Sequence, residues 1–143
     1  METLEPPGIC VDTDIVIDYL RGKNKNQEIL PILIKNYKVY ISPVSIYELY
    51  YGGYYSGKLK PVEDVLAMLI PLDWNREDSK KAAEVHVILS KAGETLNVKD
   101  ILIAGPCLSR SIPIVTRNIS HFRKVKGLKV FDGIRFLRIP SRT

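Results

Sequence analysis

Short apolar runs alternate with amphipathic stretches along most of the chain. Ile9, Cys10 and Val11 form an unbroken apolar run, the pattern of a strand buried on both faces. Asp12 ends that run with a charge. Beyond it Ile15, Val16, Tyr19 and Leu20 recur at helical spacing, and Gly22 follows where a helix C-cap belongs. The order strand, acid, helix puts Asp12 at the carboxyl end of a strand, where open parallel α/β sheets bind ligands. Asp12 is thus either a helix N-cap, for which Thr13 serves equally well, or one member of a site assembled from several segments.

The same alternation continues. Asn24 to Lys35 carries Ile29, Leu30, Leu33 and Ile34 and predicts a helix, with Pro31 in a first turn or at a break between two pieces. Val39-Tyr40-Ile41 predicts a strand. Ser42-Pro43 then opens a helix with serine as N-cap and proline at the first position, and Gly52-Gly53 is expected to stop it. Pro61 to Ile70, Asp78 to Ala92 and Val98 to Arg110 predict three more helices, while Ile70 to Trp74 is too short to assign. Ile112 to Thr116 and Leu128 to Phe131 predict strands on either side of a short helix at Ser120 to Val125. Strands alternating with helices predict a three-layer α/β/α sandwich on a parallel sheet.

A chain of 143 residues suits one domain over residues 1–143, with residues 1–8 read as a flexible tail. With 45% hydrophobic and 26% charged residues the composition is that of a globular protein and excludes disorder. No apolar run approaches the roughly 18 residues of a membrane span, and Met1 to Gly8 lacks the apolar core of a secretory signal. Cys10 and Cys107 have no metal or disulfide spacing and read as small core residues in a reducing compartment. These features predict a cytoplasmic protein. The net charge of +5 gains meaning from its distribution: from Arg117 onward eight basic residues face a single acid, Asp132. That flank is either a solvated surface or a binding surface for a polyanion.

Four polar residues stand at positions that a purely structural role leaves unexplained. Glu48 has Val44, Ser45, Tyr51 and Gly52 as its helical neighbours, a mixed or apolar face, although an exposed position is also open to it. Asp100 heads the apolar stripe Ile103, Ala104, Cys107 and Leu108, so it lies in a first helical turn on the face that turns inward. Asn118 follows the strand Ile114-Val115-Thr116, as a turn residue or as a strand-end group like Asp12. Carboxylates gathered at one sheet edge repel one another unless a hard divalent cation joins them, which implies Mg²⁺ or Mn²⁺. Beside a basic flank the matching reaction is metal-assisted hydrolysis of a phosphodiester. Neither His86 nor His121 has the spacing of a zinc site.

The segments V-D-T-D-I-V-I-D-Y-L-R-G, I-S-P-V-S-I-Y-E-L-Y-Y-G and D-I-L-I-A-G-P-C-L-S-R-S-I-P-I-V-T-R-N-I-S-H-F, with the ending R-K-V-K-G-L-K-V, resemble the PIN-domain nucleases, most closely the VapC-type toxins of toxin–antitoxin modules. They span Val11 to Val130 in the family's order. The resemblance places the family's acids on Asp12, Glu48 and Asp100 and its fourth polar position on Asn118, where many members have aspartate. It implies a Rossmann-like fold, a magnesium-dependent ribonuclease (manganese as substitute), a homodimer, and a cognate antitoxin that inhibits it. Arg117, Arg123, Lys124 and Lys126 are then the residues expected to track RNA. The A-G-P-C segment departs from the family's small-residue helix, and Pro106 is expected to kink it, a disruption of ~3 kcal/mol in a regular interior.

Two other classes stay in view. D-T-D-I-V fits the D-x-D-x-[TV] pattern of haloacid-dehalogenase-type phosphatases, with Asp12 as nucleophile and Asp14 as acid, but no late acidic pair follows Thr116. A non-catalytic RNA-binding module is the third. The tyrosines add a further expectation, since seven of the eight lie between Tyr37 and Tyr55. One helix cannot bury all of them, so rings including Tyr47, Tyr51 and Tyr54 either wet their hydroxyls at the core edge or meet a partner. The resemblance favours a dimer contact or an antitoxin groove.

Overall fold

The computed structural model describes residues 8–138. Strand β1 (Gly8–Val11) leads into α1 (Thr13–Arg21), a 3₁₀ turn (Lys25–Glu28) and α2 (Ile29–Asn36). Then come β2 (Lys38–Ile41), α3 (Pro43–Ser56), α4 (Leu59–Leu66), β3 (Ile70–Pro71), α5 (Arg76–Lys91) and α6 (Val98–Ser109). The chain ends with β4 (Ile114–Thr116), α7 (Ile119–Phe122), β5 (Val130–Asp132) and a 3₁₀ turn (Gly133–Arg138). The strands form one all-parallel sheet in the order β3-β2-β1-β4-β5. Among the described residues no helix is long and apolar enough to cross a membrane.

Alternate residues of β1 serve the two faces of the sheet. Ile9 and Val11 join a core with α1, α2, α3 and α4, while Cys10 joins a second core with α5, α6 and α7. Helices on both faces make the expected three-layer sandwich. They also explain why β1 reads as an unbroken apolar run rather than an alternating one. Gly22 caps α1 in the left-handed conformation, as its position in the sequence implies.

Several boundaries differ from expectation. The predicted tail of residues 1–8 is corrected at its end, because Gly8 is a buried strand residue; residues 1–7 lie outside the described residues. A Cβ on Gly8 would fall 2.2 Å from a ring carbon of Tyr40, so that ring lies across the bare backbone. Helix α3 does not stop at Gly52-Gly53 but runs on to Ser56, where Gly57 closes it at φ +71°. Gly53 serves packing instead: a Cβ there would sit 3.1 Å from Val62 of α4. The stretch left unassigned supplies the edge strand β3, where a proline costs no ladder bond that a central strand needs.

Pro106 does not end α6, which continues to Ser109. Gly105 beside it lies at the crossing with α5, where a Cβ would fall 2.8 Å from Ala82 Cβ and 3.0 Å from the Asp78 carbonyl. The unusual A-G-P-C segment therefore lets two helices approach closely on the face opposite α1 to α4.

Candidate active site

The parallel order brings the carboxyl ends of β1, β2 and β4 side by side, and the residues just past them form one connected polar network. Asp12, 7% exposed, is the N-cap of α1. Its Oδ1 accepts the Thr13 N–H at 2.8 Å, and its Oδ2 accepts the Thr116 hydroxyl at 2.8 Å. The capping reading holds for this side chain, and its second oxygen ties β1 to β4. Burial, then the neighbouring charge of Asp14, push its carboxyl up to about 7; the two hydrogen bonds oppose the shift and Asp100 adds to it.

Asp14 sits one residue into the same helix. Its Oδ2 accepts the Arg117 N–H at 3.0 Å and lies 3.4 Å from the Thr116 hydroxyl, while its Oδ1 is buried without a partner. Burial raises its carboxyl above the usual range, against the pull of the Arg117 contacts. A bare buried carboxylate oxygen is a position that water or a cation normally fills.

Glu48 reaches the edge from α3. Its Oε1 accepts the Thr13 hydroxyl at 2.8 Å, which also stands 2.8 Å from Ser45 Oγ. Its Oε2 meets the Lys99 ammonium at 2.7 Å. The serine–proline start of α3 fixes this placement, since Ser42 accepts the Val44 N–H and sets where the helix begins.

Asp100 enters from the first turn of α6, half-buried, with Ile103, Ala104 and Cys107 of its stripe in the core. His121 Nδ1 stands 3.4 Å from Asp100 Oδ2 and 2.8 Å from Asn118 Nδ2. One ring nitrogen is thus shared: in the neutral ring it accepts from the Asn118 amide, and in the protonated ring it donates to Asp100. Asp12, Glu48, Asp100 and Asn118, from four segments, all join this edge through Thr13, Thr116 and His121.

The remaining expected residues lie elsewhere or are otherwise engaged. The Arg117 guanidinium grips Asp18 of α1 through Nε at 2.5 Å and Nη2 at 3.1 Å, so its fork is taken within the fold. Lys124 donates to the Thr95 carbonyl at 2.9 Å, whereas Arg123 and Lys126 are exposed. Tyr47, Tyr51 and Tyr55 form an exposed ladder along α3 with ring centroids 6.3 and 6.2 Å apart. Tyr50 and Tyr54 form a second row at 6.5 Å, and the five rings line a shallow groove.

Thr13, Thr116, Lys99 and His121 were not singled out by sequence reasoning. Thr116 had a visible signal, since it ends a buried strand as Asp12 follows one; the others depend on contacts across 21 to 51 positions.

The residues suit a divalent cation by their chemistry. Buried Asp12 and half-buried Asp14, both with raised proton affinity, stand beside Glu48 and Asp100, and among the described residues Asp14 Oδ1 is buried with no partner. Among the described residues no three acidic, histidine or cysteine side chains are gathered into a ready-made cage.

The description "PIN domain" matches residues 9–128. Ribonuclease VapC2 of Haemophilus influenzae is 31% identical over 129 residues, covering 87% of this chain and 96% of its own length. A tRNA(fMet)-specific endonuclease VapC of Salmonella typhimurium is 28% identical over 96 residues, covering 64% of this chain and 73% of itself. Among solved structures, DNA-bound VapBC of Salmonella typhimurium shares the fold with a TM-score of 0.78 at 24% identity, over 88% of this chain and 98% of that one. The chain belongs to the PIN-domain family, as a VapC-type member.

Proposed function

We propose that the chain is a magnesium-dependent endoribonuclease, the toxin of a toxin–antitoxin module. The observation that carries this reading is the buried Asp12 carboxylate beside the half-buried Asp14, both with raised proton affinity, with Asp14 Oδ1 unpartnered among the described residues. Ribonuclease and endonuclease names among the relatives point the same way.

Asp12 and Asp100 would hold the metal directly or through water, and Glu48 would complete the set. When bound, a divalent cation (Mg²⁺, with Mn²⁺ as substitute) stabilises charge on phosphoryl oxygens and lowers the pKa of an attacking water. Thr116 and Thr13 fix the orientations of Asp12 and Glu48, and the Asn118 amide orients water at the edge. In-line attack leaves a 5′-phosphate and a 3′-hydroxyl. Arg123, Lys124 and Lys126 follow the RNA backbone, with Arg117 holding β4 against α1.

The test is Mg²⁺-dependent RNA cleavage by the wild type and by Asp100→Ala. Cleavage that survives in a folded Asp100→Ala protein would overturn the reading. Asn118→Ala should reduce cleavage more than Asp14→Ala; the reverse ranking, with hydrolysis of a small phosphomonoester, would favour the D-x-D phosphatase chemistry instead.

The exposed tyrosine rows are assigned to protein contact, a homodimer surface or the groove that receives the antitoxin, including Tyr47, Tyr51 and Tyr54. The VapBC complexes among the structural neighbours support an antitoxin partner. Unchanged mass by light scattering and unchanged antitoxin affinity in a Tyr51→Ala/Tyr54→Ala protein would leave the rows without that role.

A further inference from the structure

Lys99 is the residue of the acid edge that the proposed chemistry leaves unused. Its ammonium meets Glu48 Oε2 at 2.7 Å and joins α6 to α3 across 51 positions of the chain. Of the other lysine pairs, Lys60–Asp64 and Lys81–Glu84 each lie within one helix, and Lys124–Glu94, at 3.9 Å, is longer and away from the acid edge. Among the described residues, Lys99 is the only permanently charged group in an ion pair with Asp12, Glu48 or Asp100.

Helix geometry does not account for this lysine. It occupies the first turn of α6, where the positive end of the helix dipole disfavours a cation. Asn97 already caps the helix through the Lys99 N–H, so the side chain has no capping role. What compensates its position is the carboxylate of Glu48, 2.7 Å from the ammonium.

Both Glu48 oxygens are engaged. One takes the Thr13 hydroxyl and the other takes the ammonium, so a metal approaching Oε2 meets the positive charge of Lys99. Asp12 is in the opposite condition, with like charges around it and no cation. Arg117 cannot substitute, because both of its contacting nitrogens are committed to Asp18.

We propose that Lys99 is a resident stand-in cation and positioning residue: in the metal-free protein it holds Glu48, and a divalent cation competes with it for that carboxylate. The inference rests on the metal-nuclease reading and deepens it. Asp12 and Asp100 would bind the metal without displacing a cation, whereas Glu48 would join as the lysine leaves. Lys99 is 54% exposed on a flexible stem, so its release is easy and its competition modest. It sets how tightly metal binds rather than whether it binds.

The experiment is Mn²⁺ binding by isothermal titration calorimetry, read without any cleavage, on the wild type, Lys99→Met, Lys99→Arg, Glu48→Gln and the Lys99→Met/Glu48→Gln pair. Thermal melts check that each protein is folded, which a half-exposed surface change should allow. Lys99→Met should tighten Mn²⁺ binding up to about fivefold, the range set by an exposed ion pair. Lys99→Arg, which restores the cation, should stay within about twofold of the wild type. Glu48→Gln should weaken binding more in the Lys99→Met background than alone, because only there is Glu48 a free ligand. Lys99→Met binding Mn²⁺ as the wild type does, or more weakly, overturns the inference and leaves the nuclease reading standing. A wild type that binds no Mn²⁺ removes both.

Discussion

Asp12 and Asp78 are both buried aspartates at helix starts, 7% and 1% exposed, and they live in opposite surroundings. Asp78 lies in the first turn of α5, inside a capping box in which it accepts the Asn75 N–H at 2.9 Å while Asn75 accepts its own N–H at 3.1 Å. Arg110 places a guanidinium nitrogen 3.0 Å from its Oδ2, and the Ser109 hydroxyl donates to its Oδ1. Both oxygens are engaged, and the charge is paired with Arg110. Asp12 accepts two hydrogen bonds but faces Asp14 and Asp100 with no cation beside it. Burial alone therefore does not mark a functional acid. A buried charge that is paired ties α5 to α6, whereas Asp12 stands beside other carboxylates and its proton affinity rises.

That contrast yields predictions in descending size. Asp12→Asn keeps the side chain's shape and removes its charge, so cleavage should fall about a thousandfold or more, the several kcal/mol that metal-assisted charge stabilisation contributes. The melting temperature of the metal-free protein should hold or rise. A large loss of stability instead would make Asp12 a structural acid like Asp78.

Asp78→Ala should do the reverse. Removing one partner of a buried pair strands Arg110, and unfolding in denaturant should show a loss of about 3 kcal/mol. Cleavage per folded molecule should be retained, because Asp78 belongs to the α5–α6 contact and not to the acid edge.

The pH dependence of stability separates the two environments without mutation. The folded state binds the Asp12 proton more tightly than the unfolded chain, about 7 against 3.8. Between those values the unfolded state has released a proton that the native state keeps. This contribution is therefore full below about pH 4 and is lost as pH rises through 7. Asp14 shifts in the same direction. In melts of the metal-free protein, wild type should lose stability relative to Asp12→Asn as pH rises through this window, and Mg²⁺ should restore it at neutral pH. A difference that stays flat with pH would mean that Asp12 is not strained by its neighbours.

The smallest effect belongs to the lysines of the basic flank, which lie outside both cores. Neutralising Lys124 and Lys126 should leave stability within about 0.5 kcal/mol. RNA binding should lose up to about one unit of log–log salt slope per contact removed. An unchanged slope would return both lysines to the solvated surface.

Much of this architecture is legible along the chain, for a physical reason that differs by element. The unbroken run Ile9–Val11 needs apolar cover on both sides, so it announces a central parallel strand before any neighbour is known. Asp100 above Ile103, Ala104 and Cys107 announces an inward-facing acid, because helical periodicity is local. The stop of α3 was misplaced because a glycine pair carries two meanings: Gly53 answers to Val62 of α4, and only Gly57 answers to a left-handed backbone. The edge strand β3 was unreadable because two residues are too few to show a period.

The amino-acid order by itself determined the alternation of strands and helices, and with it which acids stand at strand ends and inward helix faces. These depend on periodicity and on chain direction, which are properties of a few consecutive residues. Only the tertiary structure decided who partners whom. Arg117 turned back to Asp18 rather than outward, Lys99 closed on Glu48, Thr116 joined Asp12 to Asp14, and Arg110 silenced Asp78. Each of those pairings spans more than thirty residues, and the charge state of a buried group follows from the few ångströms around it, which no local pattern encodes.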